Sequence, residues 1–421
     1  MTTLLEPMET AAETATAAYR LTTDAAILQA RPWQQRLYAA LSDPNSDAGY
    51  LLTAPGGAGK TEAVVIPTLG LHRGGSPHRV FLIGADGSTL DDHLYRLVPY
   101  LRNSATADEM PRAIYVDTPE DEESGQACRR FFPDGAEDPA VMTNPLEADV
   151  DLVLTTFSRF RDLFFGSGGI HALPSTFGTN DQVRRDLFFF DDAQGYGTES
   201  FARFHRTVEF LFAEDTDIVV ASATMPAAFQ EELNFLETIA VGLEQAPRVT
   251  LRFDPAGDVL GAMETAVRRH YYQNSRVFGV LETPEEAAAL MARLKSGYPH
   301  SVYLYHEGQP ASERRRSYAQ LRELEKEGEG YLLLTTGAAL ETSDLDATVL
   351  LSTLCPPENL IRRVGRCNRR GDLPDAQVFV FGEAFASAAR ALNPTQAADY
   401  VQSLRECNGA AFDASHWQSF I

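Results

Sequence analysis

Lysine is almost missing from this chain. Of 36 basic residues only Lys60, Lys295 and Lys326 are lysine, so arginine carries nearly all the positive charge. The bias follows base composition more readily than function, but it gives weight to a lysine standing in a motif. Cysteine is scarce too: Cys128, Cys355, Cys367 and Cys407 show no C-x-x-C spacing, which argues against a zinc ribbon or a disulfide framework and for a reducing, cytoplasmic setting. No apolar run approaches the roughly 18 residues of a membrane helix. The N-terminal stretch is acidic and lacks the basic start and apolar centre of a signal peptide, so no membrane partner is expected. No repeat recurs at solenoid periods. Positive charge is also short overall: 36 Lys and Arg stand against 59 Asp and Glu, a net charge of -23. That balance opposes indiscriminate coating of nucleic acid, yet leaves room for a strand held in a narrow cleft by a few cations and backbone amides.

The chain's 421 residues, 44% of them hydrophobic and 23% charged, suit two or three globular domains. Apolar, β-branched runs alternate with helical patterns: GYLLTAP, HRVFLIGA, AIYVDTP, DVDLVLTTF, DLFFFDD and DIVVASAT. This is the pattern of an α/β fold, a mostly parallel sheet covered on both faces. A helical stretch follows to about Ala240, then a polar connection, VGLEQAPRVTLRFDPAGD. The alternation then resumes with SRVFGVLE, SVYLYHEG, YLLLTTG, ATVLLSTL and AQVFVFG. The expected organisation is a leader over residues 1–24, domains over 25–250 and 251–385, and a short helical tail over 386–421. Residues 119–148, acidic and rich in Pro and Gly, read as a surface excursion of the first domain.

Four stretches carry chemistry. APGGAGKTEA follows a strand and opens a helix, the context of a phosphate-binding loop. Gly56, Gly57 and Gly59 let successive N–H groups face one concavity, Lys60 reaches phosphate oxygens and Thr61 offers a hydroxyl to magnesium. Ala54 stands where the general pattern has its first glycine; a ligand-free glycine turn fits a complete GKT poorly. DLFFFDDAQ ends a buried strand on Asp191 and Asp192, which is costly unless the carboxylates meet a cation or water. SATMP reads either as a helix start, with Thr224 capping and Pro226 in the first turn, or as a coupling hinge. LIRRVGRCNRRG repeats arginine at Arg363, Arg366 and Arg369, interrupted by Gly365 and closed by Gly371. A solvated helix face explains those glycines poorly, because each costs a helix about 1 kcal/mol; arginines aimed at a γ-phosphate explain them better.

The ordered set RPWQQ, APGGAGKT, DDAQ, SATMP, TTGAALETSDLD and RRVGRCNRRG resembles the superfamily 2 helicases over about residues 28 to 382. PASERRRSYAQL and PPENLIRRVGRCNRRGDLP look most like the helicase portion of the type I CRISPR interference helicase–nuclease. The resemblance implies two tandem RecA-like domains, parallel sheets flanked by helices, with the ATP site in the cleft between them. It implies ATP and Mg2+ as cofactors. Gln34 would read the adenine edge, with Trp33 beside it as core packing or a base-stacking ring. Gly56, Gly57, Ala58, Gly59, Lys60, Thr61, Glu62 and Asp344 would bind the rest of the nucleotide, and Thr61 and Asp191 would hold the metal. Asp192 would be the water-positioning base, Ser222 and Thr224 the coupling residues, and Thr156 and Thr336 the strand contacts. Arg366 and Arg369 would be the fingers, with Arg363 supporting them.

The chain departs from that family in several places. Asp192 stands where glutamate is usual, Gln194 where histidine is common, and Arg362 where glutamine is common. Around Leu340 to Ser343 the glutamate and glycine usual in the family's fifth motif are displaced or absent. None of the nine histidines is followed by Asp, the dipeptide the family's nuclease needs. The expectation is an ATP-driven translocase moving 3′ to 5′ on single-stranded DNA beside a CRISPR effector complex, with a separate nuclease subunit to cut. The alternatives are a nucleotide-dependent docking subunit with little unwinding, and a general DNA or RNA helicase.

Overall fold

The structure is a computed structural model that describes residues 31–42, 49–54, 58–65, 78–84, 90, 93–94, 97, 114–117, 129–131, 137–138, 152–165, 185–214, 216–223, 225, 227–241, 249–272, 275–298, 301–343, 345–369, 371, 373–374, 376–383 and 394–420. Two compact units meet in the sequence at Val241 and Gly242. Each is an α/β layer structure with parallel strands flanked by helices.

The first unit contains β1 (Tyr50–Thr53), β2 (His78–Gly84), β3 (Ile114–Asp117), β4 (Arg129–Phe131), β5 (Glu137–Asp138), β6 (Leu152–Thr156), β7 (Arg185–Phe190), β8 (Asp217–Ser222) and β9 (Glu237–Ala240). They form one sheet in the order β5-β4-β3-β6-β2-β7-β8-β1-β9. All pairings are parallel except those of β4 with β3 and β5. The central strands read as continuous apolar runs because both faces are covered. Helix α1 (Pro32–Ser42) precedes β1, α2 (Phe157–Phe165) follows β6, α3 (Gly197–Ala213) follows β7 and α4 (Ala227–Glu232) follows β8. Phe157, Phe160 and Phe164 give α2 one buried stripe, and Phe201, Phe204, Val208 and Leu211 give α3 another. Both stripes pack on Phe81, Phe188 and Phe190 in an aromatic core whose rings meet mostly edge to face. Arg79 and Asp186, both buried, close a two-pronged ion pair at 2.8 and 3.0 Å where β2 and β7 begin.

The second unit contains β10 (Thr250–Asp254), β11 (Arg276–Leu281), β12 (Val302–Tyr305), β13 (Tyr331–Thr336), β14 (Val349–Thr353) and β15 (Gln377–Phe381), all parallel, in the order β10-β15-β14-β11-β13-β12. Helices α5 (Val259–His270), α6 (Pro284–Leu294), α7 (Ala311–Glu327), α8 (Gly337–Thr342) and α9 (Pro357–Val364) connect them, followed by α10 (Pro394–Glu406) and α11 (Ala414–Gln418). Asp258 caps α5 by accepting from the Gly261 N–H, and Thr283 caps α6 from the Glu286 N–H with Pro284 in the first turn.

Three expectations need correction. Within the supposed excursion 119–148, residues 129–131 and 137–138 are strands extending the sheet edge, too short for alternation to mark them. The helix after SAT ends at Glu232, and Glu237–Ala240 is a strand beside β1. The supposed polar connection holds β10, whose alternating burial is that of a half-covered edge strand. Thr224 and Pro226 lie outside the described residues.

The C-terminal residues are built into the second unit. The Leu251 N–H donates to Ala410 O, the Gly409 N–H donates back to Leu251 O at 2.8 Å, and the Phe253 N–H donates to Asn408 Oδ1. Trp417 is fully buried among Tyr400, Phe412 and Phe420, and α11 packs against α9. Trp417→Ala is expected to cost about 3–5 kcal/mol by the large-to-small cavity rule. Chemical denaturation followed by tryptophan-independent circular dichroism checks it; an unchanged midpoint would show that the terminal helices are not part of this core.

Candidate functional site

In the first unit β1 delivers the chain to the phosphate loop. Its last residue, Thr53, pairs with Ser222 of β8, and the Ala54 N–H donates to Ser222 O at 3.1 Å, so the buried Ser222 adjoins the start of the loop. Gly59 has φ +84°, a conformation glycine takes without the strain a side chain brings. A Cβ there would lie 3.0 Å from Gln34 Nε2, which in fact donates to Gly59 O at 3.2 Å. Gln34 Oε1 accepts the Arg31 N–H at 2.8 Å, so its buried amide ties α1 to the loop. The neighbouring Trp33 is core, with Nε1 buried and without a hydrogen-bond partner among the described residues. The chain is helical from Lys60; the buried Lys60 Nζ donates to Ala54 O at 3.2 Å, and Glu62 is half-buried on the first turn.

Asp191 follows β7 directly, at the carboxyl end of the sheet where ligands collect in such folds. Its N–H donates to Ile83 O at 3.0 Å, and Tyr196 Oη donates to the same carbonyl at 3.1 Å. Asp191 is 2% exposed. Thr61 Oγ1 donates to Asp191 Oδ2 at 2.6 Å across 130 residues of sequence, and the Asp192 N–H donates to Asp191 Oδ1 at 2.9 Å. One hydroxyl and one carboxylate thus converge beside a phosphate-type loop, the donor set by which magnesium is held together with substrate phosphates. Asp192 is half-buried and has φ +50°. Aspartate and asparagine tolerate that region best among side-chain-bearing residues, a backbone reason for aspartate in place of the usual glutamate. His93, which sequence reasoning had not singled out, is buried with Nε2 3.5 Å from Asp191 Oδ2.

In the second unit the arginine segment is not one helix face. α9 ends at Val364; the Ala347 N–H donates to Arg366 O and the Asn368 N–H to Ala347 O, so Cys367 forms a bridge with Ala347. Asn368 has φ +53° and closes its turn through both amide atoms with Leu373. The alternative of a solvated helix face is thereby overturned.

Arg363 is 4% exposed and held on three sides: Nε to Glu341 Oε1 at 3.2 Å, Nη1 to Ser352 Oγ at 2.9 Å, and Nη2 at 3.5 Å from Glu282 Oε1. Burial works against its charge, but Cys355, Glu341 and Glu282 outweigh it and raise its pKa. Burial pushes the nearby Cys355 thiol up to about 12. Glu341 also accepts from Arg362 and Asn359. Glu341 is therefore a buried clamp between α8 and α9, a role that only proximity reveals. Arg366 donates through Nε to Leu340 O at 3.3 Å and through Nη2 to Glu341 O. Asp346 Oδ1 accepts the Arg369 N–H at 2.8 Å, while Oδ2 lies 3.5 Å from Arg276 Nη2.

The expected strand contacts are less free than the sequence suggests. Thr156 Oγ1 accepts the Arg159 N–H at 3.3 Å and starts α2, and Thr336 Oγ1 donates to Glu307 Oε2. Gly56, Gly57, Thr224 and Asp344 lie outside the described residues, as does the side chain of Gln194. Among the described residues no group of three or more His, Cys, Asp or Glu could hold a metal ion, and no helix is long and apolar enough to cross a membrane.

Residues 273–372 match the family described as CRISPR-associated nuclease/helicase Cas3, C-terminal. No curated protein sequence matches the chain. Among solved structures, Saccharomyces cerevisiae Dbp5 bound to RNA and ADP BeF3 is 15% identical with a TM-score of 0.61, covering 97% of this chain and 95% of that one. Mycobacterium smegmatis helicase Lhr bound to ssDNA and AMP-PNP is 16% identical with a TM-score of 0.62, covering 95% of this chain and 50% of that one. Cas3 of T. fusca with ATP is 17% identical with a TM-score of 0.59, covering 94% of this chain and 51% of that one. This chain therefore spans about half the length of the Lhr and Cas3 chains. At these identities the likeness shows the fold alone: two parallel sheets flanked by helices, matching the tandem RecA-like units of those helicases, while the Cas3 family match covers residues 273–372.

Gly337 opens α8 against Arg363, where an added Cβ would collide with Nη2. Since Arg363 is pinned by buried partners, Gly337→Ala is expected to cost about 1–3 kcal/mol through overpacking. Thermal melting checks this; an unchanged Tm would mean that Arg363 moves freely and is not the clamp described.

Proposed function

We propose that this chain is an ATP-driven motor on single-stranded DNA, working with a CRISPR effector complex and a separate nuclease subunit. The observation that carries the reading is the Thr61–Asp191 hydrogen bond, which joins the phosphate loop to the acidic pair. The Cas3 family match in residues 273–372 supports the CRISPR setting.

Lys60 and the loop amides bind and orient the β- and γ-phosphates, and Gln34 faces the base. Thr61 and Asp191 are the residues to hold magnesium, which when bound neutralises phosphate charge. Asp192 orients the attacking water and accepts its proton. Arg366 and Arg369 serve as fingers that stabilise the charge developing on the γ-phosphate, and Asp346 and Glu341 keep them in place. Ser222, beside the loop on β8, passes the nucleotide state onward. Strand contact through Thr156, Thr336 and backbone amides suits a net-acidic protein better than a basic patch does.

The docking-subunit reading keeps one specific point in its favour: the hydroxyls of Thr156 and Thr336 are both engaged within the chain. An ATPase assay with single-stranded DNA, single-stranded RNA and neither separates the readings. Stimulation by DNA of about tenfold or more, abolished in Lys60→Ala, is expected for the motor. Turnover indifferent to nucleic acid sinks the motor reading in favour of docking, and stimulation by RNA alone points to an RNA helicase.

A further inference from the structure

We infer that His93 is a positioning residue for Asp191, acting on the carboxylate oxygen that also receives the Thr61 hydroxyl. The inference rests on the nucleotide-site reading above and deepens it. Asp191 is almost fully buried, so each carboxylate oxygen needs a polar neighbour to offset lost hydration. Oδ1 has the Asp192 N–H at 2.9 Å. Oδ2 has Thr61 Oγ1 at 2.6 Å, and His93 Nε2 at 3.5 Å approaches the same atom. Three chain segments far apart in sequence, around residues 61, 93 and 191, thus meet at one carboxylate.

Their roles differ in kind. Thr61 is itself expected to give an oxygen lone pair to magnesium, so its hydroxyl serves two partners. His93 is not among the residues expected to hold the metal, and its buried ring restricts where Oδ2 can swing. A neutral imidazole carries one N–H, and in the tautomer with that hydrogen on Nε2 the ring faces Oδ2 as a donor. Outer partners of this sort orient ligating carboxylates, and losing one typically costs about 10–100-fold in metal affinity or activity.

Two variants separate orientation from packing. His93→Leu keeps the bulk and removes the donor, whereas His93→Gln keeps an N–H donor of similar reach. The full chain is titrated with a fluorescent methylanthraniloyl-ADP, once in excess EDTA and once across a magnesium series. His93→Leu is expected to raise the magnesium concentration for half-maximal tightening about tenfold and leave binding in EDTA unchanged. In ATPase assays it lowers kcat about tenfold with KM for ATP within about twofold, and His93→Gln recovers most of both effects. Magnesium dependence like the wild type in a His93→Leu protein of unchanged Tm overturns the inference. Equal damage in His93→Gln overturns it as well, because packing rather than the donor would then be at stake. A wild-type protein that binds the analogue no better than Lys60→Ala fails earlier, overturning the phosphate-loop reading and this inference with it.

Discussion

Arg363 in its pocket is the constraint on which the second unit's chemistry depends. A guanidinium removed from water is tolerable only when every side meets an acceptor, and here Glu341, Glu282 and Ser352 supply them. Those acceptors come from α8, the end of β11 and β14, so one side chain joins three elements at the carboxyl edge of the sheet. Gly337 has no side chain because the guanidinium passes where a Cβ would be. The backbone leaving α9 then turns, with Asn368 at φ +53°, and carries Arg369 and Arg366, whose guanidinium is tied to Leu340 O and Glu341 O. Arg363 does not reach for a nucleotide; it holds the segment that carries the arginines proposed to do so.

The first unit reaches the same end with a carboxylate. Asp191 is anchored through its N–H to β2 and through its side chain to Thr61 and Asp192. In both units a buried charge at the carboxyl ends of parallel strands is stabilised by neighbours from distant sequence. Such arrangements are stiff, because moving one partner leaves another unsatisfied in a poorly hydrated place. Stiffness of this kind lets a nucleotide site hold its groups before substrate arrives.

Much of this was legible in the order of residues. The strands with both faces covered announced themselves as apolar runs, from GYLLTAP to AQVFVFG, and the α/β class followed. The phosphate loop, the DDAQ pair and the arginine segment stood out because their chemistry is local: glycines beside lysine, two acids ending a strand, arginines spaced by glycine. Less legible were β9 and β10, one short and exposed, the other alternating on an edge. Glu341 was visible only as a residue out of register, and His93 not at all, since one histidine in a helical stretch carries no periodic signal.

The sequence by itself determined the α/β alternation and which residue types stand together in the candidate phosphate-handling stretches, because backbone propensity, apolar patterning and donor inventory are properties of neighbouring residues. The tertiary structure alone decided which of those side chains work together. The meeting of Thr61, His93 and Asp191, the burial of Arg363 between Glu341 and Glu282, and the engagement of Thr336 by Glu307 all depend on strand order. Strand order arises from packing across the whole sheet, where residues a hundred or more apart become neighbours, and no local stretch encodes it.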